Sequence, residues 1–360
     1  MNGLKFNETA KYNLIAPSSV GVRITPVDRT EVFTSNLFRM QSTSAETNVL
    51  NVPASLGMST LVLTTFVKDS QIAQFIKGEL RKRNINFIGK DKAKVGPWGY
   101  RHQFNIADSG FGSRAPRVEN DRAGEVGRTL SVDDFDLDKL FKEEKVQMIH
   151  MSGLIAALSP ETKEFCLALA RIAKKNGTLV SFDLNYRASF WKDREEELSK
   201  SFKEIVSLTD ILIGNEEDYQ LALGLKGPEA GGKDIVSKID GFKGMIETAK
   251  AEYPNVSVFA TTLRQVVSAN EHLWGAISYS SEGWNIIEPR PIQVMDRIGG
   301  GDGFVGGLLY SLLSGKDVKT ATEFGWATGV LAASSLNDYA TPIDEDEVWS
   351  IFKGNARVKR

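Results

Sequence analysis

The sequence predicts an α/β protein: a doubly wound, mostly parallel sheet flanked by helices, with a small β-sheet lid at its edge. Three observations carry that expectation. From about residue 133 onward, apolar strand-like runs alternate with helical patterns of roughly 10–20 residues, the rhythm of a parallel sheet covered on both faces. Strand-like segments near 20–40 and 98–122 fall outside that rhythm. Three consecutive glycines, Gly299-Gly300-Gly301, open an apolar helix close to the C-terminus.

Residues 1–11 read as a polar N-terminal extension, and the domain itself is expected over 12–353. Tyr12–Ala16, Val20–Ile24 and Glu31–Met40 read as strands. Thr43–Asn48 opens a helix that ends near Gly57, Ser59–Val67 is a buried-type strand, and Gln71–Arg83 is amphipathic through Ile72, Phe75, Ile76 and Leu80. Trp98–Ala107 alternates as a strand, 108–112 is a turn, and 118–128 is mixed. The regular half follows: helix 134–144, strand Gln147–Met151, helix Pro160–Asn176 stopped by Gly177, and strand Thr178–Asp183. Then come helix Glu195–Leu208, strand Ile211–Ile213, helix Glu216–Leu223, a largely helical Lys233–Glu252 and strand Val256–Thr262. An antiparallel pair covers Trp274–Ser280 and Trp284–Glu288. The glycine-opened helix, Val318–Leu336 and Asp344–Phe352 complete the chain. The irregular strands at 20–40 and 98–122 are assigned to a lid sheet inserted in the domain.

With 41% hydrophobic and 25% charged residues, the composition is that of a globular protein. The 44 basic and 46 acidic residues argue against nucleic acid or an anionic membrane as partner. One cysteine, Cys166, excludes an intramolecular disulfide, and no apolar run approaches the about 18 residues of a membrane span. A cytoplasmic location is the expectation. The three histidines lack the local spacing of a zinc site.

The chemistry is expected at 294–313. Glycines at a helix start let backbone N–H groups converge without Cβ obstruction, and a helix's first turn attracts phosphate. Asp302 sits beside that point, where it could take a proton from an attacking hydroxyl; this is a phosphoryl-transfer arrangement. Three polar clusters lie just after strands, where ligands of such sheets sit. In Asp183-Leu184-Asn185-Tyr186-Arg187, the arginine could grip a carboxylate or phosphate, or pair with a surface acid. Asn215-Glu216-Glu217-Asp218 suits Mg²⁺ near a triphosphate, or simply caps a helix. Thr261-Thr262-Leu263-Arg264 offers hydroxyls and a cation to a nucleotide, or forms a turn.

Residues 294–313 resemble the second signature of the ribokinase-like (pfkB) carbohydrate kinases, roughly Asp-Thr-x-Gly-Ala-Gly-Asp-x-Phe. Asp296, Gly299, Gly301, Asp302 and Phe304 keep it, and Arg297 and Gly300 depart mildly. With the three clusters, the chain from Tyr12 to Trp349 is most similar to the sugar-acid subgroup, the 2-keto-3-deoxygluconate kinases and their neighbours. The resemblance implies ATP as donor, Mg²⁺ as helper and Asp302 as the base for a primary hydroxyl. It implies an anion hole at Gly299, Gly300 and Gly301, and nucleotide contacts at Asn215, Thr262, Arg264, Gly299 and Gly301. Acceptor contacts fall on Asn48, Arg122 (in Asp121-Arg122-Ala123), Arg187 and Asp302. The metal falls near Asp218 and Glu217, reached through water. Departures cluster on the acceptor side: Ser18-Ser19 for Gly-Glu, Thr43-Ser44 for paired glycines, Asn120 for a tyrosine, and Gln103–Asp108 for a Tyr-Phe-Leu-Glu strand.

The expected function is ATP-dependent phosphorylation of a small sugar acid, 2-keto-3-deoxygluconate first, in a homodimer or higher oligomer. The alternatives are a kinase for another sugar, such as fructose or a ketohexonate, and a non-catalytic sugar- or nucleotide-binding paralogue.

Overall fold

The computed structural model describes residues 4–6, 9–227 and 239–355. Its main sheet has nine strands: β1 (Tyr12–Pro17), β4 (Thr60–Val67), β5 (Asn86–Lys92), β8 (Val146–Ser152), β9 (Leu179–Asp183), β10 (Ile211–Ile213), β11 (Val258–Val266), β12 (Glu271–Ser280) and β13 (Gly283–Gln293). They lie in the order β13-β12-β11-β10-β9-β8-β1-β4-β5. From β5 to β11 every neighbour is parallel, and the β11–β12–β13 hairpins are antiparallel. Chain order reverses beside β1, so ligands are expected beyond the carboxyl ends of the strands near that point.

Alternate residues of each strand feed two cores. Ile15, Ile149, Val180, Phe182 and Leu212 face helices α4 (Pro160–Lys175), α6 (Glu195–Ser207) and α8 (Ile239–Glu252). Leu14, Met148, Ile211 and Ala260 face α1 (Ala45–Ser55), α2 (Gln71–Lys82), α9 (Gly300–Leu313), α10 (Val318–Ala333) and α11 (Glu345–Phe352). Helix boundaries follow local signals. Ser159 caps α4 in a capping box with Thr162, just before Pro160 at the first helical position. Asn215 and Asp218 form a capping box at α7 (Glu216–Leu223), which ends on left-handed Gly224.

The second sheet is small: β2 (Gly21–Pro26), β3 (Phe38–Thr43), β6 (Phe104–Ala107) and β7 (Val118–Asp121), in the order β3-β2-β6-β7. Several expectations need correction here. The strand expected at Glu31–Met40 lies at Phe38–Thr43, because 27–37 is mostly turn, with Arg29 at φ 63°. The strand expected at Trp98–Ala107 is confined to Phe104–Ala107, since Val95 and Gly96 adopt positive φ and bend the chain before it. Strand β5 escaped notice because an edge strand reading Asn-Phe-Ile-Gly-Lys-Asp-Lys carries little apolar alternation. The helix expected over 134–144 is a short 3₁₀ turn followed by a π turn at Lys139–Glu144. A short helix, α3 (Gly153–Leu158), capped by Ser152, follows β8 directly where the sequence shows only an apolar run. The first part of the expected helix 233–252 lies outside the described residues. Among those described, no helix is long and apolar enough to cross a membrane.

Candidate active site

The floor of the site is the start of α9. Gly299 caps it at φ +85°, and a Cβ there would lie 1.7 Å from the Asp338 carbonyl oxygen, so no other residue fits. Gly301 has open space beside it and Gly300 packs toward Trp274 and Gly329. The Gly303 N–H already bonds the Gly299 carbonyl at 2.8 Å, and the preceding N–H groups of the first turn are left for an anion. Small residues also seat the helix. A Cβ on Gly306 would meet the Val49 carbonyl of α1 at 2.7 Å, and one on Gly307 would meet Thr328 of α10.

Asp302 enters the cleft from this turn. Asn48 Nδ2, on α1, donates to its Oδ2 at 2.9 Å. The turn of α1 that carries this asparagine is braced by Arg83, a buried residue with no local sequence signal, one Nη of which lies 3.5 Å from Asn48 Oδ1. Arg83 Nε donates to Asn51 Oδ1 at 2.7 Å, one Nη donates to the Thr47 carbonyl at 2.6 Å, and the guanidinium lies 3.8 Å over the Tyr339 ring. Burial lowers its pKa to about 10. Burial likewise pushes the Asp302 carboxyl up to about 7; Glu46 and Asp338 push the same way, while Asn48 and Arg187 oppose them. A carboxyl poised there can accept a proton near neutral pH. The expected kcat/KM profile therefore has an acidic limb with a midpoint near pH 7. A midpoint at pH 4–5 would remove Asp302 as the titrating group.

Above this floor lies a cleft of about 980 Å³, into which β1, β8, β9 and β10 release their loops and the small sheet turns Gln103, Asn105, Val118 and Asn120. The cluster Thr261-Thr262-Leu263-Arg264, expected just after a strand or in a turn, lies instead within β11, where Thr262 pairs with Ala276 and Arg264 with Trp274 of β12. Arg187 lies exposed on the cleft wall, with Nη1 bonded to the Tyr186 carbonyl at 2.7 Å. Asp183 starts the same loop. Burial holds its carboxyl well above the usual range, and Asp218 and Asp302 push it further up. Arg122 is differently placed: its Nη1 donates to both Glu125 oxygens, at 2.7 and 2.9 Å, and its guanidinium lies 5.2 Å from the centre of the Phe190 ring. The serines at 18 and 19 are ligands of buried acids: Ser18 donates to Glu46 at 2.6 Å and Ser19 to Glu125 at 2.5 Å. Thr43 donates to Asp338 at 2.5 Å, and Ser44 caps α1. Neither Glu46 nor Asp338 stood out in the sequence, because each is defined by partners far away in the chain, and Glu125 joins distant Ser19 to nearby Arg122.

Asn215, Glu217, Asp218, Thr262 and Arg264 line the same cleft. Asn215 Oδ1 accepts the Glu217 and Asp218 N–H groups. Asp218 accepts the Tyr186 N–H at 2.7 Å and the Asn215 N–H at 2.8 Å, tying the Arg187 loop to α7. Burial raises its pKa to about 6. Glu217 is exposed to the cleft. Among the described residues no trio of His, Cys, Asp or Glu is arranged to hold a metal.

The pfkB family carbohydrate kinase profile matches residues 127–345, more than half of the chain and all of α9. The chain belongs to the pfkB family of carbohydrate kinases. Over 339 residues this kinase is 27% identical to the 5-dehydro-2-deoxygluconokinase of Clostridium perfringens, covering 93% of this chain and 91% of that one. It is 28% identical to the 2-dehydro-3-deoxygalactonokinase of Haloferax volcanii over 343 residues, covering 92% and 94% of the two chains. The crystal structure of 2-dehydro-3-deoxygluconokinase from Thermotoga maritima superposes with a TM-score of 0.84 at 25% identity, covering 95% of the kinase and 98% of that chain. The kinase therefore has the ribokinase-like fold, and its relatives act on different deoxy sugar acids.

Proposed function

We propose that the protein transfers the γ-phosphoryl group of ATP to a primary hydroxyl of a small sugar acid, with 2-keto-3-deoxygluconate the first candidate. The observation that carries this is Asp302, held by Asn48 at the glycine-opened start of α9 and facing a polar cleft with Arg187 on its wall. The acceptor oxygen attacks the γ-phosphorus as its proton passes to Asp302. The bond from that phosphorus to the bridging oxygen breaks, and ADP leaves. The first-turn N–H groups of α9 stabilise the charge on the transferred group, with Gly299, Gly300 and Gly301 giving them room. Thr262, Arg264 and Asn215 face the nucleotide, and Asn48 and Arg187 face the acceptor.

The donor set fits a Mg²⁺ ion carried mainly by phosphate and water. Asp218 is engaged with two backbone N–H groups, and Glu217 stands exposed beside it, so both would act on the ion through water. Bound there, the ion would neutralise charge on the triphosphate.

A second reading, a kinase for a neutral sugar such as fructose, is favoured by one observation: Arg122 is already paired with Glu125. Acceptor-dependent ADP release separates the readings. 2-Keto-3-deoxygluconate, its galacto epimer and 5-keto-2-deoxygluconate should be turned over, and fructose should not. Binding of ATP without turnover of any acceptor would identify a binding paralogue.

The small sheet and its loops expose Phe33, Leu37 and Phe111, at 78%, 69% and 63% of their surface. Their cover is proposed to be a second copy of the chain. Light scattering at micromolar concentration should give at least twice the chain mass, and a monomer would overturn this.

A further inference from the structure

Arg23 is completely buried on β2, between Val22 and Ile24. Its Nη2 donates to Asp296 Oδ2 at 2.5 Å and its Nη1 to Asp338 Oδ1. Gln41, its cross-strand neighbour on β3, donates to Asp338 Oδ1 at 2.6 Å. Thr43, two residues on and so on the same face, donates to Asp338 Oδ2 at 2.5 Å. Ser109, in the loop after β6, donates to Asp296 Oδ2 at 2.8 Å. Four side chains from the small sheet and its loop thus converge on two carboxylates.

Those carboxylates bracket the glycine loop. Asp296 Oδ1 accepts the Ile298 N–H at 3.0 Å, and the Asp338 carbonyl occupies the place a Gly299 Cβ would take. A buried ion triad is weak evidence for stability, since well-packed apolar residues often serve as well. What it supplies is geometry: a planar fork sets a separate nitrogen on each carboxylate at a fixed spacing, whereas an ammonium offers one nitrogen on a flexible stem.

We propose that Arg23 is a positioning residue for phosphoryl transfer, holding Asp296 and Asp338 so that the glycine loop between them presents its N–H groups at one point. This rests on the kinase reading above. Arg23 touches neither substrate, and it acts through the loop. A displacement of about 1 Å in such a constellation costs roughly a hundredfold in rate, so a variant that keeps the charge and loses the fork should fold and transfer poorly.

The experiment compares wild type, Arg23→Lys and Ser109→Ala for kcat with saturating acceptor, ATP affinity and melting temperature. Arg23→Lys should lower kcat at least about tenfold and Ser109→Ala about threefold, with ATP affinity changed less than about threefold. Wild-type kcat per folded molecule in Arg23→Lys, with only the melting temperature lowered, overturns the proposal. Where Arg23→Lys fails to fold, Ser109→Ala decides on the same criterion. Titration with ADP and aluminium fluoride mimics the transferred group without any acceptor. If wild type turns over no acceptor, the kinase reading fails, and weaker binding of this mimic to Arg23→Lys still supports the positioning role, whereas equal binding overturns it.

Discussion

Asp302→Asn is expected to lower kcat by about 10²–10⁴-fold while ATP affinity holds or improves. Asparagine is nearly isosteric, can still accept the Asn48 amide hydrogen bond, and leaves the glycine loop in place. It cannot take the hydroxyl proton. Its loss of charge also eases repulsion against a triphosphate. Stability gives a second, independent readout. Because burial raises the Asp302 pKa from 3.8 to about 7, the folded chain binds this proton more tightly than the unfolded chain. Stability is thus unaffected below about pH 4 and declines as the pH rises to 7, by an amount on the order of 2–4 kcal/mol. Asparagine carries no such cost. The variant should melt at the same or a higher temperature than wild type at pH 8, with the difference fading toward pH 4. Near-normal turnover would remove Asp302 as the base. A lowered melting temperature with full activity per folded molecule would mark it as structural.

Arg187→Ala should raise the acceptor KM by about 30-fold or more, the equivalent of roughly 2 kcal/mol for a lost charge-assisted contact, and leave ATP affinity unchanged. The two candidate arginines differ in readiness. Arg187 stands on the cleft wall with one backbone partner, whereas Arg122 is engaged by Glu125, whose side chain is wholly buried. Arg122→Ala leaves that carboxylate with Ser19 alone and should cost stability more than acceptor affinity. If Arg122→Ala raises the acceptor KM as much as Arg187→Ala, the Glu125 pair must open when the acceptor binds. If neither variant changes it, the acceptor carries no carboxylate, and a neutral sugar becomes the better candidate.

What could be read in advance follows from where the determinants lie. The alternation beyond residue 133 is written in local periodicity, and the glycine-opened helix in one contiguous run, so both were legible. Asn48, Arg187 and Asp302, singled out through short motifs, come together around one cleft. Strand β5 was not, because an edge strand with two apolar side chains gives no pattern. The buried charges were illegible for a different reason. Arg23 in Gly-Val-Arg-Ile-Thr reads as one surface residue of an alternating strand, and its carboxylates lie 273 and 315 positions away. Ser18-Ser19 and Thr43-Ser44 looked like losses from an acceptor pocket. In the folded chain their hydroxyls hold Glu46, Glu125, Asp338 and the start of α1, contacts that a motif comparison cannot supply.

The seating of α9 against α1 also governs how the protein is made. Asn48 and Asp302 are separated by 254 positions, and Val49 closes on Gly306 with no room for a methyl group. At about 5–20 residues per second, the ribosome delivers α9 roughly 13–50 s after α1 has emerged. Throughout that interval the face of α1 around Val49 and Val52 that receives α9 has no final cover. Nascent chains halted before residue 300 should therefore engage chaperones and resist dilution from denaturant poorly. Full-length chains should gain protease resistance and phosphoryl transfer together, in one late step.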